Sequence, residues 1–143
     1  YPPTNSVMLT LSSKRLHDRL VEIGFRAKET QGIPDQVFVH FARGFFDADG
    51  SVYKKKGGAW ETSFTGQYHL LDQLAMRVHL LIGTKYPKRL YEKSNSPGTF
   101  SLRFFAAESA ALYTGLYQDA TIWLGRKREK FEVLLRGGTP CAT

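Results

Sequence analysis

Residues 41–52 read Phe41-Ala42-Arg43-Gly44-Phe45-Phe46-Asp47-Ala48-Asp49-Gly50-Ser51-Val52. Just upstream, Pro34-Asp35 has the form of a helix start, with proline in the first turn and an acid near the positive end. Phe38, Phe41 and Phe45 then share one face, which predicts a helix from Pro34 to about Phe46. Asp47 and Asp49 therefore fall at the C-terminal end of that helix, where the dipole disfavours them. Two acids so placed make sense if a cation is bound, and carboxylate oxygens suit Mg²⁺ or Ca²⁺. A helix cap of turn-forming residues accounts for Asp49-Gly50 alone. A calcium loop is excluded, because no third liganding position precedes Gly50 and Gly58 stands where the closing Glu belongs. Gly44 and Ala48 lie four apart on one helix face, a spacing that lets two helix backbones approach closely.

Working outward, Ser51–Lys56 and Trp60–Thr65 alternate like the arms of a hairpin around Gly57-Gly58. Trp60, Thr62 and Phe64 share one face, leaving Glu61, Ser63 and Thr65 on the other. Leu70, Leu71, Leu74, Val78, Leu81 and Ile82 predict an amphipathic helix stopped by Gly83. Two more strands are expected near 88–93 and 99–105, with a turn at 94–98. In the second, Phe100, Leu102 and Phe104 alternate with Ser101, Arg103 and Phe105, so one face is core and the other is open to function. Residues 108–135 read as mostly helical, with Gly115 and Gly125 as weak points. The order from Pro34 is helix, strand, strand, helix, strand, strand, helix.

Upstream of Pro34, Val7–Leu11 reads as a short strand, followed by a helix through Leu16, Leu20 and Ile23 that Ser12 or Ser13 caps and Gly24 ends. The passage Met8–Leu16 echoes Ser101–Ser109, each a strand running straight into a helix. Residues 1–33 are thus expected to be a strand-helix extension, the remnant of a preceding copy of the unit. Residues 34–136 form the main repeat and 137–143 a flexible tail.

The chain has 143 residues, with 42% hydrophobic and 23% charged, which is one compact domain of ordinary composition. No apolar run approaches the roughly 18 residues of a membrane span, and Tyr1-Pro2-Pro3-Thr4 lacks the basic start and apolar stretch of a secretory signal. A first residue other than Met predicts a chain processed or cut from something longer. The single Cys141 leaves neither an intramolecular disulfide nor a cysteine metal site. The net charge of +7 is concentrated in three segments, Lys54–Lys56, Lys85–Lys93 and Arg126–Arg136. Clustering of this kind favours a polyanion partner, although charge runs are also common on solvated faces.

The segment Gly44-Phe-Phe-Asp-Ala-Asp-Gly-Ser-Val resembles the signature of the LAGLIDADG homing endonucleases. The order of elements that follows resembles that family's αββαββα repeat, an α+β fold with a four-stranded antiparallel saddle that binds DNA. Ser13-Lys14-Arg15-Leu16, Ile23-Gly24 and Ile33-Pro34 resemble intein landmarks. Ala42 and Arg43 depart from the leading Leu and Ala of the pattern, and the end from Gly138 lacks the His-Asn that closes an intein. A complete splicing element is therefore not expected.

The resemblance implies a site-specific, divalent-metal-dependent double-strand DNA endonuclease of the kind carried by mobile introns and inteins. Only one motif is present, so it implies a homodimer packed through the motif helix at Gly44 and Ala48, acting across a long, near-palindromic site. Asp49 matches the metal-ligating acid, and Asp47 the earlier acid, which more often has a structural role. Gln67 matches a polar residue that orders water, and Lys127 a basic residue near the scissile phosphate. Ser51, Tyr53, Lys55, Glu61, Ser63, Thr65, Arg89, Tyr91, Lys93, Ser101 and Arg103 are the candidate DNA contacts. Mg²⁺ is the implied cofactor, with Mn²⁺ as a substitute and Ca²⁺ supporting binding without cleavage. Double-stranded DNA is the implied partner, no membrane is involved, and the protein is expected inside the cell wherever its target DNA resides. The same fold also admits a non-cutting DNA-binding regulator and an intron-RNA maturase.

Overall fold

The computed structural model describes residues 12–22, 30, 32–56, 58–85 and 88–137. Helix α1 spans Lys14–Glu22, and its N-terminus is capped by the Ser13 hydroxyl, which accepts from the Leu16 amide at 3.2 Å. The strand expected at Val7–Leu11, and the helix end at Ile23-Gly24, lie outside the described residues. Among the described residues, α1 buries none of its side chains.

Helix α2 spans Asp35–Asp49, three residues beyond the end predicted from Phe38, Phe41 and Phe45, because the acids themselves are helical. Pro34 precedes it, and Asp35 pairs with Arg77 at 2.7 Å. Gly50 stops the helix in an ordinary extended conformation, its amide donating to the Phe46 carbonyl at 2.8 Å. Its lack of a side chain matters for another reason: a Cβ there would stand 2.4 Å from the Phe46 oxygen and 2.5 Å from the Phe46 ring. The glycine of the acidic motif is thus required by close approach over a buried aromatic.

Strands β1 (Ser51–Lys54) and β2 (Trp60–Gly66) form the expected hairpin, slightly shorter on its first arm. Helix α3 (Tyr68–Ile82) ends at Gly83, which adopts the left-handed conformation at φ 66°. Strands β3 (Leu90–Lys93) and β4 (Ser96–Phe105) follow. The turn expected over 94–98 contracts to Ser94-Asn95, and an irregularity beside Lys93 absorbs Pro97-Gly98-Thr99 into β4. All pairs are antiparallel in the order β1-β2-β4-β3.

The final helical region is two helices, α4 (Ala107–Tyr117) and α5 (Gly125–Gly137). The break falls at 118–124, whereas Gly115 remains helical and sits where a Cβ would be 2.9 Å from Ile82 Cγ2 and 3.2 Å from Leu81 Cγ. Gly115 is therefore a contact point between α3 and α4. Helices α2 to α5 cover one face of the sheet, enclosing Phe46, Phe64, Phe104, Tyr117 and Phe131, each at most 1% exposed. Burying such aromatics contributes about 1.5–3 kcal/mol apiece, and this face organises everything around it. No helix of the described residues is long and apolar enough to cross a membrane.

Candidate functional site

The two acids of the motif have opposite environments. Asp47 is engaged at both oxygens: Oδ1 accepts from the Tyr117 hydroxyl at 2.5 Å, and Oδ2 from the Leu124 amide at 2.9 Å. It therefore fastens the 118–124 connection onto α2, rather than capping its own helix. Burial, then this hydrogen bond, pushes the Tyr117 hydroxyl far above its ordinary pKa. Asp49 is exposed at the last position of α2, and no hydrogen bond or ion pair engages its carboxylate among the described residues.

Arg43, one of the departures from the family pattern, also belongs to this fastening. It is 6% exposed, donates through Nη1 to the Leu116 carbonyl at 2.9 Å, and places Nη2 2.8 Å from His40 Nδ1. Leu116 lies in the last turn of α4, where carbonyls lack partners within their own helix, so a guanidinium supplies the donor. The other departure, Ala42, is fully buried.

Lys127 lies in the first turn of α5, inside the helix rather than before it, and is 5% exposed. Its ammonium stands 5.4 Å from the centre of the Phe46 ring. Burial most of all, and then the Arg126 charge, holds its pKa below the usual lysine value, while Asp47 and then Asp49 oppose that shift. Asp49 and Lys127 are thus brought into one electrostatic neighbourhood by the packing of α5 against β1 and Phe46. Gln67 is exposed at the junction of β2 and α3, and its side chain makes no capping bond. It lies one residue past β2, and Asp49 two residues before β1, so both occupy the same end of the hairpin. Gly44 and Ala48 are exposed on α2, with nothing within 4 Å of the Cβ position of Gly44.

The sheet face opposite the helices carries the remaining candidates. Ser51 pairs with Ser63, Tyr53 with Glu61, Ser63 with Arg103, Thr65 with Ser101 and Tyr91 with Ser101, so the odd-numbered positions share that face. They are not equally available. Ser63 and Ser101 form a buried floor, and the Ser51 and Ser63 hydroxyls bond to each other at 2.8 Å. Glu61 is fully buried, so it is not a free groove contact. It accepts from the Tyr53 hydroxyl, pairs with Lys55 at 2.5 Å, and lies 3.5 Å from Arg103 Nε. Burial would raise its carboxyl, but bonds from Lys55 and Tyr53 and the charges of Lys55 and Arg103 outweigh that and hold it below the usual value. Tyr53, Lys55, Arg89 and Phe105 are exposed, and Thr65, Tyr91, Lys93 and Arg103 half-buried. Phe105, absent from the candidates, lies under Lys55, whose ammonium is 4.6 Å from its ring centre.

Neither a family model nor a curated protein sequence matches the chain. A solved structure does: a group I intron-encoded homing endonuclease, I-CeuI, complexed with DNA. The TM-score is 0.51 at 15% identity, over 86% of this chain and 62% of that one, so this chain spans less than two thirds of that protein's length. The fold is shared. The expected α+β architecture with its four-stranded antiparallel sheet is the one observed, apart from the division of the last helix.

Asp47 and Tyr117 were hard to see in advance because their bond spans seventy positions of sequence. The signal available for Glu61 was a lone acid facing Arg103 and Lys55 across alternating strands.

Proposed function

We propose that the chain is one subunit of a divalent-metal-dependent, site-specific double-strand DNA endonuclease, paired with a second copy through the Gly44–Ala48 face of α2. The observation that carries this reading is Asp49, an exposed carboxylate with no partner among the described residues, at the helix end beside a buried lysine. The neighbour's complex with DNA supports the choice of substrate.

Among the described residues, no cluster of three or more His, Cys, Asp or Glu encloses a metal by itself. Mg²⁺ sites of the phosphoryl-transfer kind need only one or two carboxylates, with phosphate and water completing the shell. Asp49 fits that donor set, whereas both oxygens of Asp47 are already committed. Bound Mg²⁺, or Mn²⁺ in its place, supplies Lewis-acid stabilisation of the scissile phosphate and lowers the pKa of water, whereas Ca²⁺ supports binding alone. Lys127 places positive charge where negative charge develops, and its depressed pKa makes it a readier proton carrier than an exposed lysine. Gln67 orders water at the same end of the hairpin. The open sheet face, with Tyr53, Lys55, Thr65, Arg89, Tyr91, Lys93 and Arg103, lies along the groove and sets the site. Ser51, Ser63 and Ser101 shape its floor.

The test is selection of sites from a randomised duplex library in Ca²⁺, followed by transfer of the bound pool to Mg²⁺. Specific double-strand cuts that disappear in Asp49→Asn are expected. Tight, selective binding without cuts would replace this reading with a non-cutting regulator. Preference for structured intron RNA over duplex would replace it with a maturase.

A further inference from the structure

On the open face, three cations and two aromatic rings are arranged around one buried carboxylate. Arg103 lies on a central strand, its guanidinium 4.6 Å from the centre of the Tyr91 ring, and Arg89 is 5.2 Å from the same ring. Its Nε is buried and faces Glu61 Oε1 at 3.5 Å. No described group bonds either Nη nitrogen, and the side chain remains 34% exposed. The Nε edge of the guanidinium therefore faces an acid at ion-pair distance without a hydrogen bond, the Tyr91 ring lies against its central carbon, and among the described residues its Nη donors remain free.

A free arginine on a DNA-binding face reaches for phosphate, which carries no sequence information. Three features weigh against that here. Glu61 offsets part of the positive charge shared by Lys55 and Arg103, which weakens the pull of the backbone. The Tyr91 stack and the Glu61 pair limit how far the guanidinium swings. The remaining donors suit a partner with two adjacent acceptors, and in the major groove that is the O6/N7 edge of guanine. Adenine offers one acceptor beside a donor, so it fits the fork poorly.

We infer that Arg103 is a guanine-reading residue and that Glu61 is the positioning residue that fixes it, with Tyr91 setting the guanidinium plane. This rests on the duplex-DNA reading above and deepens it by naming a base class. Glu61 touches no DNA; it acts through Arg103, Lys55 and Tyr53.

The experiment is sequencing of duplexes bound by the full chain in Ca²⁺, at two salt concentrations, for the wild type and Arg103→Lys, Glu61→Gln and Tyr91→Leu. Thermal melting checks that each variant is folded. The wild type is expected to prefer guanine at one position of each half-site by roughly 5- to 150-fold. Arg103→Lys keeps the charge but removes the fork, so preference collapses at that position while other positions keep theirs. Glu61→Gln and Tyr91→Leu weaken the same position selectively, and Tyr91→Leu, at the sheet edge, serves if the buried Glu61 variant fails to fold. A selected site with no guanine position sensitive to Arg103→Lys overturns the inference and leaves the endonuclease reading standing. So does a uniform loss at every position in Glu61→Gln, which marks a purely structural carboxylate. Absence of sequence-selective duplex binding by the wild type overturns both.

Discussion

The open sheet face and the end of α2 both bring acids and cations together, but they resolve the charge differently. On the sheet, Glu61 is enclosed by Tyr53, Lys55 and Arg103, and its charge is met within the chain. At the helix end, Asp49 and Lys127 influence each other without forming a bond, and Asp49 is left open. Internally paired charge holds side chains in place, which is what recognition needs. Unpaired charge has unmet demand for an ion or a reacting group, which is what catalysis needs. The same contrast divides the two aspartates of the motif, since Asp47 is as fully engaged as Glu61.

The sharpest way to break this contrast is to remove one charge from each aspartate. Asp49→Asn is expected to lower the cleavage rate on the order of 10²–10³-fold or more, with the thermal midpoint nearly unchanged. Asp47→Asn is expected to do the reverse first. Its amide nitrogen faces a donor that it cannot satisfy, which costs about 1–3 kcal/mol in denaturant unfolding and loosens the 118–124 connection. A variant pair in which Asp47→Asn leaves stability untouched would dissolve the distinction.

Two glycines sharpen it on the scale of packing. Gly115→Ala drives a methyl into Leu81 and Ile82 and is expected to cost about 1–3 kcal/mol. Gly44 has open space around it among the described residues, so Gly44→Leu is expected to leave the fold of each chain intact and, under the proposed pairing through α2, to shift sedimentation toward monomer.

The pH dependence carries the smallest effects, and in both regions stability rises with pH, because each group holds its proton less tightly in the folded chain than in the unfolded one. Glu61 has a folded pKa below the ordinary 4.5, so its stabilisation is complete above that value and is lost as pH falls through the lower, folded value. Glu61→Gln is therefore expected to flatten the acid limb of a stability profile. Lys127 has a folded pKa below 10.5, so the unfolded chain binds its proton more tightly and stability rises with pH between the two values. Lys127→Met is expected to raise the thermal midpoint slightly at neutral pH and to remove the rise in stability on the alkaline side.

Much of this was legible in the chain itself. Phe38, Phe41 and Phe45 at helical spacing, and the alternation through Trp60–Thr65 and Phe100–Phe105, are local patterns, and local patterns specify elements and their faces. The last helical region shows the limit, since of its two weak points only Gly125 borders the break. Gly115 looked like a weak point by propensity, yet its position against Leu81 and Ile82 uses the missing side chain for close helix packing. The true break at 118–124 is held by Asp47, which is distant in sequence.

The sequence alone determined the order of elements, the acidic motif at the helix end, and the set of polar side chains sharing the open face. These depend on periodicities of two and 3.6 residues, which any reader of the chain can count. Only the tertiary structure decided that Asp47 is spent on Tyr117 and Leu124 while Asp49 is unpartnered among the described residues, that Lys127 is buried beside them, and that Glu61 is buried on the open sheet face in contact with cations. Those outcomes depend on which groups meet across long stretches of chain, and a carboxylate's role is set by the donors that reach it.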